Sequence, residues 1–458
     1  MIRIFNHHFN ANVVLQMAAD SLFVLLGLVL FGAVFMQDVL PVSTTATHSL
    51  SLAAWTFVVG NITGIYHASS VRSMQASVLR AFFAAVLLLP LAYGLFSLAP
   101  TETMSTTMSY AAMAIVLGAI TYRSVAVHFS ALAMMQSRIL VVGTGRVALQ
   151  VSESLRASDP HARIVGYFPS PNERERVVPA SQVLSGSTSL AQAAAIADVD
   201  EVIVALSERR SGSMPLRDLL DCKISGIRVS DISTHFERRL GQIRLDYVNA
   251  GWLIFGEGFN QGFLRTAIKR AFDLVCAAVL LAITLPLMLL TALLIAAESR
   301  GPILYRQLRV GLNGKNFDVI KFRSMCCDAE QDGNPQWAKA QDDRITRVGR
   351  LIRRVRIDEL PQLYNVLKGE MSLVGPRPER PYFVDSLTKD IPYYAIRHSV
   401  KPGVTGWAQV RYEYGATAED AKQKLQYDLY YVKNHTLFLD LLVMFETVSV
   451  VLTGKGAR

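Results

Sequence analysis

Four apolar stretches of membrane-spanning length fill the first 135 residues, and they constrain the fold more than anything else in the chain. About Val13–Met36, Leu50–Tyr66, Val78–Leu98 and Met108–Val127 carry almost no charge. A hydrocarbon layer of roughly 30 Å takes about 20 apolar residues as helix, because backbone polar groups must pair within the segment. Composition agrees with a membrane protein: 51% of residues are hydrophobic and only 18% charged, with a mean hydropathy of +0.29. The first stretch lacks a small-residue cleavage site, so it is expected to be an uncleaved helix rather than a signal peptide.

Loop charges give an orientation. Arg3 precedes the first stretch, and the loop Asp38–His48 has no Lys or Arg. The next loop holds Arg72, with Arg80 just inside the third helix; the one after has only Glu102. Arg123 and Arg138 follow the fourth stretch. This alternation predicts a four-helix transmembrane bundle over 1–135 with both ends in the cytoplasm. Asp20 falls inside the first helix, where helix packing or a polar pair is the favoured role.

Residues 136–250 read as a small α/β domain. The apolar strand Arg138–Val142 runs into Gly143-Thr144-Gly145-Arg146 and then a helical pattern, the order of a dinucleotide-binding loop. Further strands are expected at Arg163–Phe168 and Glu201–Leu206, giving a Rossmann-like parallel sheet. Gly143 and Gly145 are the candidate nucleotide loop. The second strand, however, ends in Phe168-Pro169-Ser170, with no acid to hold a ribose hydroxyl, so bound NAD is disfavoured.

Residues 251–300 hold a fifth apolar stretch, Ala271–Ala297. Both flanks are basic: Arg265, Lys269 and Arg270 before it, Arg300, Arg306 and Arg309 after it. Pro286 sits in the middle, where it removes a helix hydrogen bond. Both features favour a helix broken at Pro286 that enters one leaflet and returns, with the Thr284 hydroxyl offered to the freed backbone.

In residues 301–458 the densest chemistry is Arg353-Arg354-Val355-Arg356-Ile357-Asp358-Glu359-Leu360-Pro361-Gln362-Leu363. An amphipathic helix is expected before it, from Ile345, Val348, Leu351, Ile352 and Val355. A second helix should start at Pro361 and end at Gly369. That sets Asp358 and Glu359 at a helix N-terminus among arginines, where ionised carboxylates are favoured. An isolated Asp-Glu pair is most often a helix cap with surface ion pairs. Here Gly375-Pro376-Arg377-Pro378 presents an arginine on a backbone stiffened by two prolines, suited to phosphate. The run Phe317–Met325 alternates like a strand and would put Lys321 and Arg323 on one face. Near the end, Leu437–Leu452 is apolar but interrupted by Asp440 and Glu446, which suggests a surface-lying amphipathic helix.

Asp358-Glu359-Leu360-Pro361-Gln362-Leu363, Gly375-Pro376-Arg377-Pro378 and Pro402-Gly403-Val404-Thr405-Gly406-Trp407 occur in this order. From about Thr266 to the C-terminus the chain resembles the bacterial polyisoprenyl-phosphate hexose-1-phosphate transferases, or monotopic phosphoglycosyl transferases. The whole chain is similar to their larger, undecaprenyl-phosphate glucose or galactose phosphotransferase type. The Lys321-Phe322-Arg323-Ser324-Met325 run matches a family motif too. One departure stands out: Val410 is followed by Arg411-Tyr412-Glu413-Tyr414-Gly415 where many members have Asn-Gly-Arg.

The resemblance implies a C-terminal α/β catalytic domain with the re-entrant membrane helix. It implies a UDP-sugar donor, undecaprenyl phosphate as acceptor, and a phospho-aspartyl intermediate on Asp358. Glu359, with Asp358, is the expected Mg²⁺ ligand, and Arg353, Arg377, Lys321 and Arg323 are the expected phosphate contacts. The expected setting is the bacterial inner (cytoplasmic) membrane, multi-pass, with the catalytic domain cytoplasmic and contacting membrane lipids. A regulatory or homo-oligomer-forming role is left to the middle domain. The net charge of +9 suits anionic headgroups and nucleotides. No basic, aromatic-interleaved run points to nucleic acid. Cys222, Cys276, Cys326 and Cys327 lack metal spacing and are expected to be reduced thiols.

Two alternatives compete. One is a membrane-tethered, NAD-dependent nucleotide-sugar dehydratase, for which Tyr364 and Lys368 have the right spacing. The other is a non-catalytic membrane scaffold.

Overall fold

The computed structural model describes residues 2–4, 7–9, 11–35, 42–62, 74–97, 109–122, 137–158, 162–171, 173, 176–184, 189–206, 214–248, 258–259, 262–326, 344–412, 415 and 417–453. The loop positions Asp38, Arg72, Glu102 and Arg123, and also Cys327, Glu413 and Tyr414, lie outside the described residues. The protein is mostly helical, with a parallel sheet and one long apolar helix. His8–Leu240 and Gly241–Arg458 are the main segments of two compact units.

The first unit begins with four apolar helices: α1 Ala11–Phe35, α2 Val42–Ile62, α3 Met74–Ser97 and α4 Ser109–Tyr122. Val24, Leu28, Leu52, Leu88, Val116 and Ile120 close into one buried cluster drawn from all four. The outward faces are apolar as well, with Phe23, Leu30, Leu50 and Phe82 exposed. Helices that are apolar all round suit a lipid surrounding rather than water. Asp20 is buried.

After these helices come β1 Ser137–Val142, α5 Arg146–Ser158, β2 Ala162–Phe168, α6 Leu190–Ile196, β3 Glu201–Val204, α7 Leu216–Ile224, β4 Arg228–Asp231 and α8 Ile232–Leu240. The four strands are all parallel, in the order β2-β1-β3-β4. Ile139, Leu140, Val141 and Val142 are fully buried, as a strand covered on both faces requires. Ser189 and Gln192 form a reciprocal cap at the start of α6.

The second unit contains α9 Gly262–Glu298, the hairpin β5 Leu304–Val310 and β6 Asn316–Phe322, α10 Arg347–Arg354 and α11 Gln362–Lys368. Then follow β7 Ser372–Val374, α12 Pro381–Asp390, β8 Gly403–Thr405, α13 Trp407–Arg411, α14 Ala418–Asn434 and α15 Leu437–Thr453. Strands β7 and β8 pair in parallel. Trp407, Tyr430, Leu363, Val374 and Val443 belong to its core. Ile243 is buried in the same core, and the Trp407 indole donates to the Gly241 carbonyl at 2.7 Å.

Helix α9 has 37 residues and is long and apolar enough to cross a membrane. Its helical rise gives it a length of about 55 Å. The expected break at Pro286 is absent, because the helix runs unbroken through it. A proline removes one intrahelical bond and kinks a helix without having to end it. The Thr284 hydroxyl donates to the Leu280 carbonyl at 2.7 Å, its own preceding turn.

Both ends of α9 are tied to the second unit. Near its start, Arg270 donates to the carbonyls of Val366 and Leu367 at 2.6 and 2.9 Å, which terminates α11. Lys269 lies 2.7 Å from Asp440 on α15. At its end, Glu298 accepts from the backbone of Arg347 and Val348 and so caps α10. Ile295 packs with Phe322 and Ile352. Between these ends Val279, Ile283, Leu289, Leu290 and Leu293 are exposed.

Helix α15 is amphipathic, with its carboxylates turned inward. Asp440 and Glu446 do not face outward; both are buried against the unit, Asp440 on Lys269 and Tyr431, Glu446 on Arg411 at 2.6 Å. The outward positions are apolar, with Leu441 and Val448 exposed. Carboxylates in so apolar a segment are tolerated because each has a cationic partner.

Candidate active site

The turn at Asp358–Glu359 is set by its neighbours on both sides. Thr346 caps α10 by accepting from the Gly349 amide. Arg356 then adopts a left-handed conformation (φ 59°), which turns the chain into a short 3₁₀ turn, Ile357–Glu359. Pro361 leads into α11, and Gly369 ends it in a left-handed conformation (φ 91°). Asn365 docks α11 against β6: its side chain accepts from the Ile320 amide at 3.1 Å and donates to the Asp318 carbonyl at 2.8 Å. One side chain thus satisfies both backbone groups of the strand edge. The contact docks α11, which follows the Asp358–Glu359 turn, on the strand that carries Lys321.

The two carboxylates are adjacent in sequence and opposite in environment. Glu359 is buried, and its Oε1 takes both Arg377 Nη2 at 2.7 Å and Lys321 Nζ at 3.0 Å. Its Oε2 lies 3.8 Å from Arg356. Burial alone would raise the Glu359 pKa, but Arg377, Lys321 and Arg356 hold it well below the usual carboxylate range. Asp358 is also buried, yet its Oδ1 has no hydrogen-bond partner among the described residues. Burial and the Glu359 charge push its pKa up to about 6, against the opposing pull of Lys321, Arg353 and Arg377. The turn therefore holds one carboxylate gripped by cations and one bare and more basic.

Among the expected phosphate contacts, Lys321 and Arg377 meet at Glu359. Burial lowers the Lys321 pKa despite the neighbouring Glu359. Arg353 acts on Asp358 through charge at longer range. Arg323 lies elsewhere. Strand β6 ends at Phe322, and the Arg323 guanidinium donates to the Ser299 carbonyl at 2.7 Å, the Ser299 hydroxyl at 2.8 Å and the Arg300 carbonyl at 3.3 Å. It closes the C-terminal end of α9, where a cation is favoured by the helix dipole. Sequence reasoning missed Arg356 and Asn365. Arg356 lies within the stretch Arg353–Leu363, but its left-handed backbone has no sequence signal.

The motif glycines have a steric cause. A Cβ on Gly403 would come 2.1 Å from the Gly375 nitrogen, and one on Gly406 would come 2.2 Å from the Gly375 oxygen. The two motif loops therefore press backbone to backbone beside β7 and β8, and Arg377 leaves this junction towards Glu359.

Residues 264–454 match the family model described as bacterial sugar transferase. Over 193 residues the chain is 48% identical to a UDP-glucose:undecaprenyl-phosphate glucose-1-phosphate transferase of Caulobacter vibrioides, covering 41% of this chain and 71% of that protein. The chain belongs to the bacterial sugar transferase family. It is also 45% identical over 242 residues to a UDP-N-acetylgalactosamine-undecaprenyl-phosphate N-acetylgalactosaminephosphotransferase of Aeromonas hydrophila, covering 53% of this chain and 56% of that protein. A putative undecaprenyl-phosphate N-acetylgalactosaminyl 1-phosphate transferase of Bacillus subtilis is 53% identical over 131 residues, 29% of this chain and 73% of that protein. The chain thus spans about half the length of the Aeromonas relative and about seven tenths of the other two. The Asp358–Glu359 turn, Lys321 and Arg377 all fall inside the matched sugar transferase region.

Two other sites in this chain bear on the alternatives. In the glycine loop, Gly143 has φ 127°, and a Cβ there would come 2.6 Å from the Ala205 carbonyl. The loop amides point at a protein carboxylate: Glu173 accepts from Thr144 N at 2.6 Å, Gly145 N at 2.9 Å and Thr144 Oγ1 at 3.0 Å. Glu173 thereby sits where a dinucleotide fold would take a phosphate. Tyr364 and Lys368 are both exposed on α11, and Lys368 pairs with Glu370 at 2.5 Å. They form no enclosed Tyr–Lys couple of the kind dehydratase chemistry needs.

No group of three or more His, Cys, Asp or Glu poised for a metal occurs among the described residues. Mg²⁺ commonly uses only one or two carboxylates plus substrate phosphates. The unpartnered Asp358 oxygen beside Glu359 fits that limited donor set. Cys222, Cys276 and Cys326 are free thiols.

Proposed function

We propose that this protein transfers a sugar 1-phosphate from a UDP-sugar to undecaprenyl phosphate, as an early membrane step of exopolysaccharide, capsule or O-antigen assembly. The observation that carries the reading is the asymmetry of the turn: Asp358 Oδ1 is buried without a partner, while Glu359 is held by Lys321 and Arg377. A carboxylate stripped of hydrogen bonds, with its pKa raised to about 6, is both ionised near neutral pH and more nucleophilic than an ordinary one.

In this scheme an Asp358 oxygen attacks the sugar-linked phosphorus. The bond from that phosphorus to the bridging oxygen breaks, and UMP leaves. An oxygen of undecaprenyl phosphate then attacks the same phosphorus and breaks its bond to Asp358. The products are undecaprenyl-diphospho-sugar and a restored carboxylate. One nucleophile lets two bulky anions use a single pocket in turn. Arg377 and Lys321 stabilise charge on the transferring phosphoryl group, and Arg353 adds long-range positive potential. Asp358 and Glu359 are the residues that would hold Mg²⁺, which when bound neutralises diphosphate charge.

The reading includes a setting. Residues 1–135 form a four-helix transmembrane bundle in the bacterial inner membrane, residues 136–250 a Rossmann-like domain, and the transferase domain lies on the cytoplasmic side. Helix α9 enters the membrane without crossing it. What supports this is that its two ends dock on the same unit while its middle exposes only apolar side chains. The outward apolar face of α15 would rest on the same lipid surface.

The test supplies purified protein in native-lipid particles with Mg²⁺, undecaprenyl phosphate and a panel of UDP-sugars. UMP release with one donor, lost in Asp358→Asn and on chelation, is the expected result. Release of UDP would overturn the reading. No release with any donor would favour the scaffold.

A further inference from the structure

The loop that carries Arg377 is held at four consecutive carbonyls. Pro376 O accepts from the Gly403 amide at 3.0 Å, and Glu379 O from the Val310 amide at 2.9 Å. The two in between are taken by side chains: Arg377 O by Arg397 Nη2 and Pro378 O by Arg309 Nη1, each at 2.9 Å. Arg397 is buried, and its guanidinium is itself fixed on two further sides. Nη2 lies 2.8 Å from Asp428 on α14, and Nη1 donates to the Tyr394 hydroxyl at 2.6 Å. Asp428 is buried as well.

A buried ion pair of this kind is a poor source of net stability, since desolvation offsets most of the attraction. Stability alone therefore gives little reason for it. Its one contact leading towards the site is the Arg377 carbonyl. Arg377 is in turn the cation 2.7 Å from Glu359. A fork that bridges Asp428, Tyr394 and a backbone carbonyl together needs the planar geometry of arginine.

We propose that Arg397, braced by Asp428, is a positioning residue: it fixes the Arg377 backbone so that the Arg377 guanidinium stays at Glu359 to receive the donor phosphate. The kinetic part of this rests on the proposed reaction; the clamp on the loop does not.

Arg397→Lys keeps the charge against Asp428 and loses the fork. Two readouts follow. Hydrogen exchange in the segment around Arg377 should accelerate, with exchange in α14 unchanged. In UMP release, Arg397→Lys should lower kcat/KM for the UDP-sugar by roughly 10- to 100-fold, as expected for a misplaced catalytic group. In an Arg377→Ala background the same change should cost no more than about twofold, because the two residues act as one unit. Asp428→Asn repeats both readouts if Arg397→Lys does not fold. Unchanged exchange around Arg377, or an Arg397→Lys loss that persists in full without Arg377, would overturn the proposal. A wild type that releases no UMP would overturn the reaction alone, and the exchange measurement would still decide the clamp.

Discussion

Arg377 Nη2 lies 2.7 Å from Glu359 Oε1, and Asp358, one residue earlier, keeps Oδ1 without a hydrogen bond among the described residues. Two neighbouring carboxylates are thereby driven apart in acidity. Like charges side by side resist ionising together, and the cations settle on Glu359. This division of labour underlies the pH behaviour expected of the reaction.

The single-turnover rate should fall as pH drops through about 6, where Asp358 takes up a proton and its attacking lone pair is lost. Above that value Asp358 is ionised and the rate should level off. Glu359→Gln removes the charge that raises the Asp358 pKa, so the acid limb should move to lower pH even as the maximal rate drops. A profile flat well below pH 5, or a limb moving upward in Glu359→Gln, would contradict the assignment.

Lys321 and Arg323, two residues apart, should give opposite phenotypes. Lys321→Ala or Arg377→Ala is expected to lower kcat by about 10²–10³, the cost of losing one charge-stabilising donor. Arg323→Ala should leave the donor KM near wild type and lower stability by about 1–3 kcal/mol, because it strands the carbonyls that end α9. Steady-state kinetics and thermal unfolding in detergent separate the two.

The Lys269–Asp440 pair joins α9 to α15 at 2.7 Å, with Asp440 fully buried. Asp440→Leu alone should destabilise by about 3–5 kcal/mol, because it leaves Lys269 facing an apolar partner. Lys269→Met with Asp440→Leu should recover only part of that loss, because it also removes the cation 3.7 Å from the buried Asp273, which thermal unfolding in detergent would reveal. Full recovery in the double variant would mean that Asp273 does not depend on Lys269.

In the middle domain, Glu173 already fills the glycine loop. NAD should leave the wild-type unfolding temperature unchanged. Glu173→Ala should destabilise the protein by about 1–3 kcal/mol, because it orphans the Thr144 and Gly145 amides. A clear stabilisation of the wild type by NAD would contradict this account.

Much of this was legible in the sequence for identifiable reasons. Pro361 and Gly369 marked α11 because each has one strong backbone preference. The glycine motifs were visible as motifs, but their cause, the backbone contact among Gly375, Gly403 and Gly406, joins loops far apart in the chain. Alternation placed Lys321 and Arg323 on one face, which failed because the strand stops between them. Asp440 and Glu446 were visible as interruptions of the apolar stretch in α15, but their inward direction depends on Lys269 and Arg411, which arrive from elsewhere in the chain. Glu173, in the segment after β2, carried no local signal for its place on the glycine loop. The difference between Asp358 and Glu359 was illegible for the same reason, since it depends on where Lys321 and Arg377 arrive.

The most direct test of the central claim is a quench experiment without acceptor. The protein is mixed with a UDP-sugar labelled on the sugar-linked phosphate, quenched in acid and digested. The account predicts a burst of UMP stoichiometric with enzyme and label on the peptide containing Asp358, both absent in Asp358→Asn. UMP formed only when undecaprenyl phosphate is added, with no label on the protein, would contradict a covalent step at Asp358.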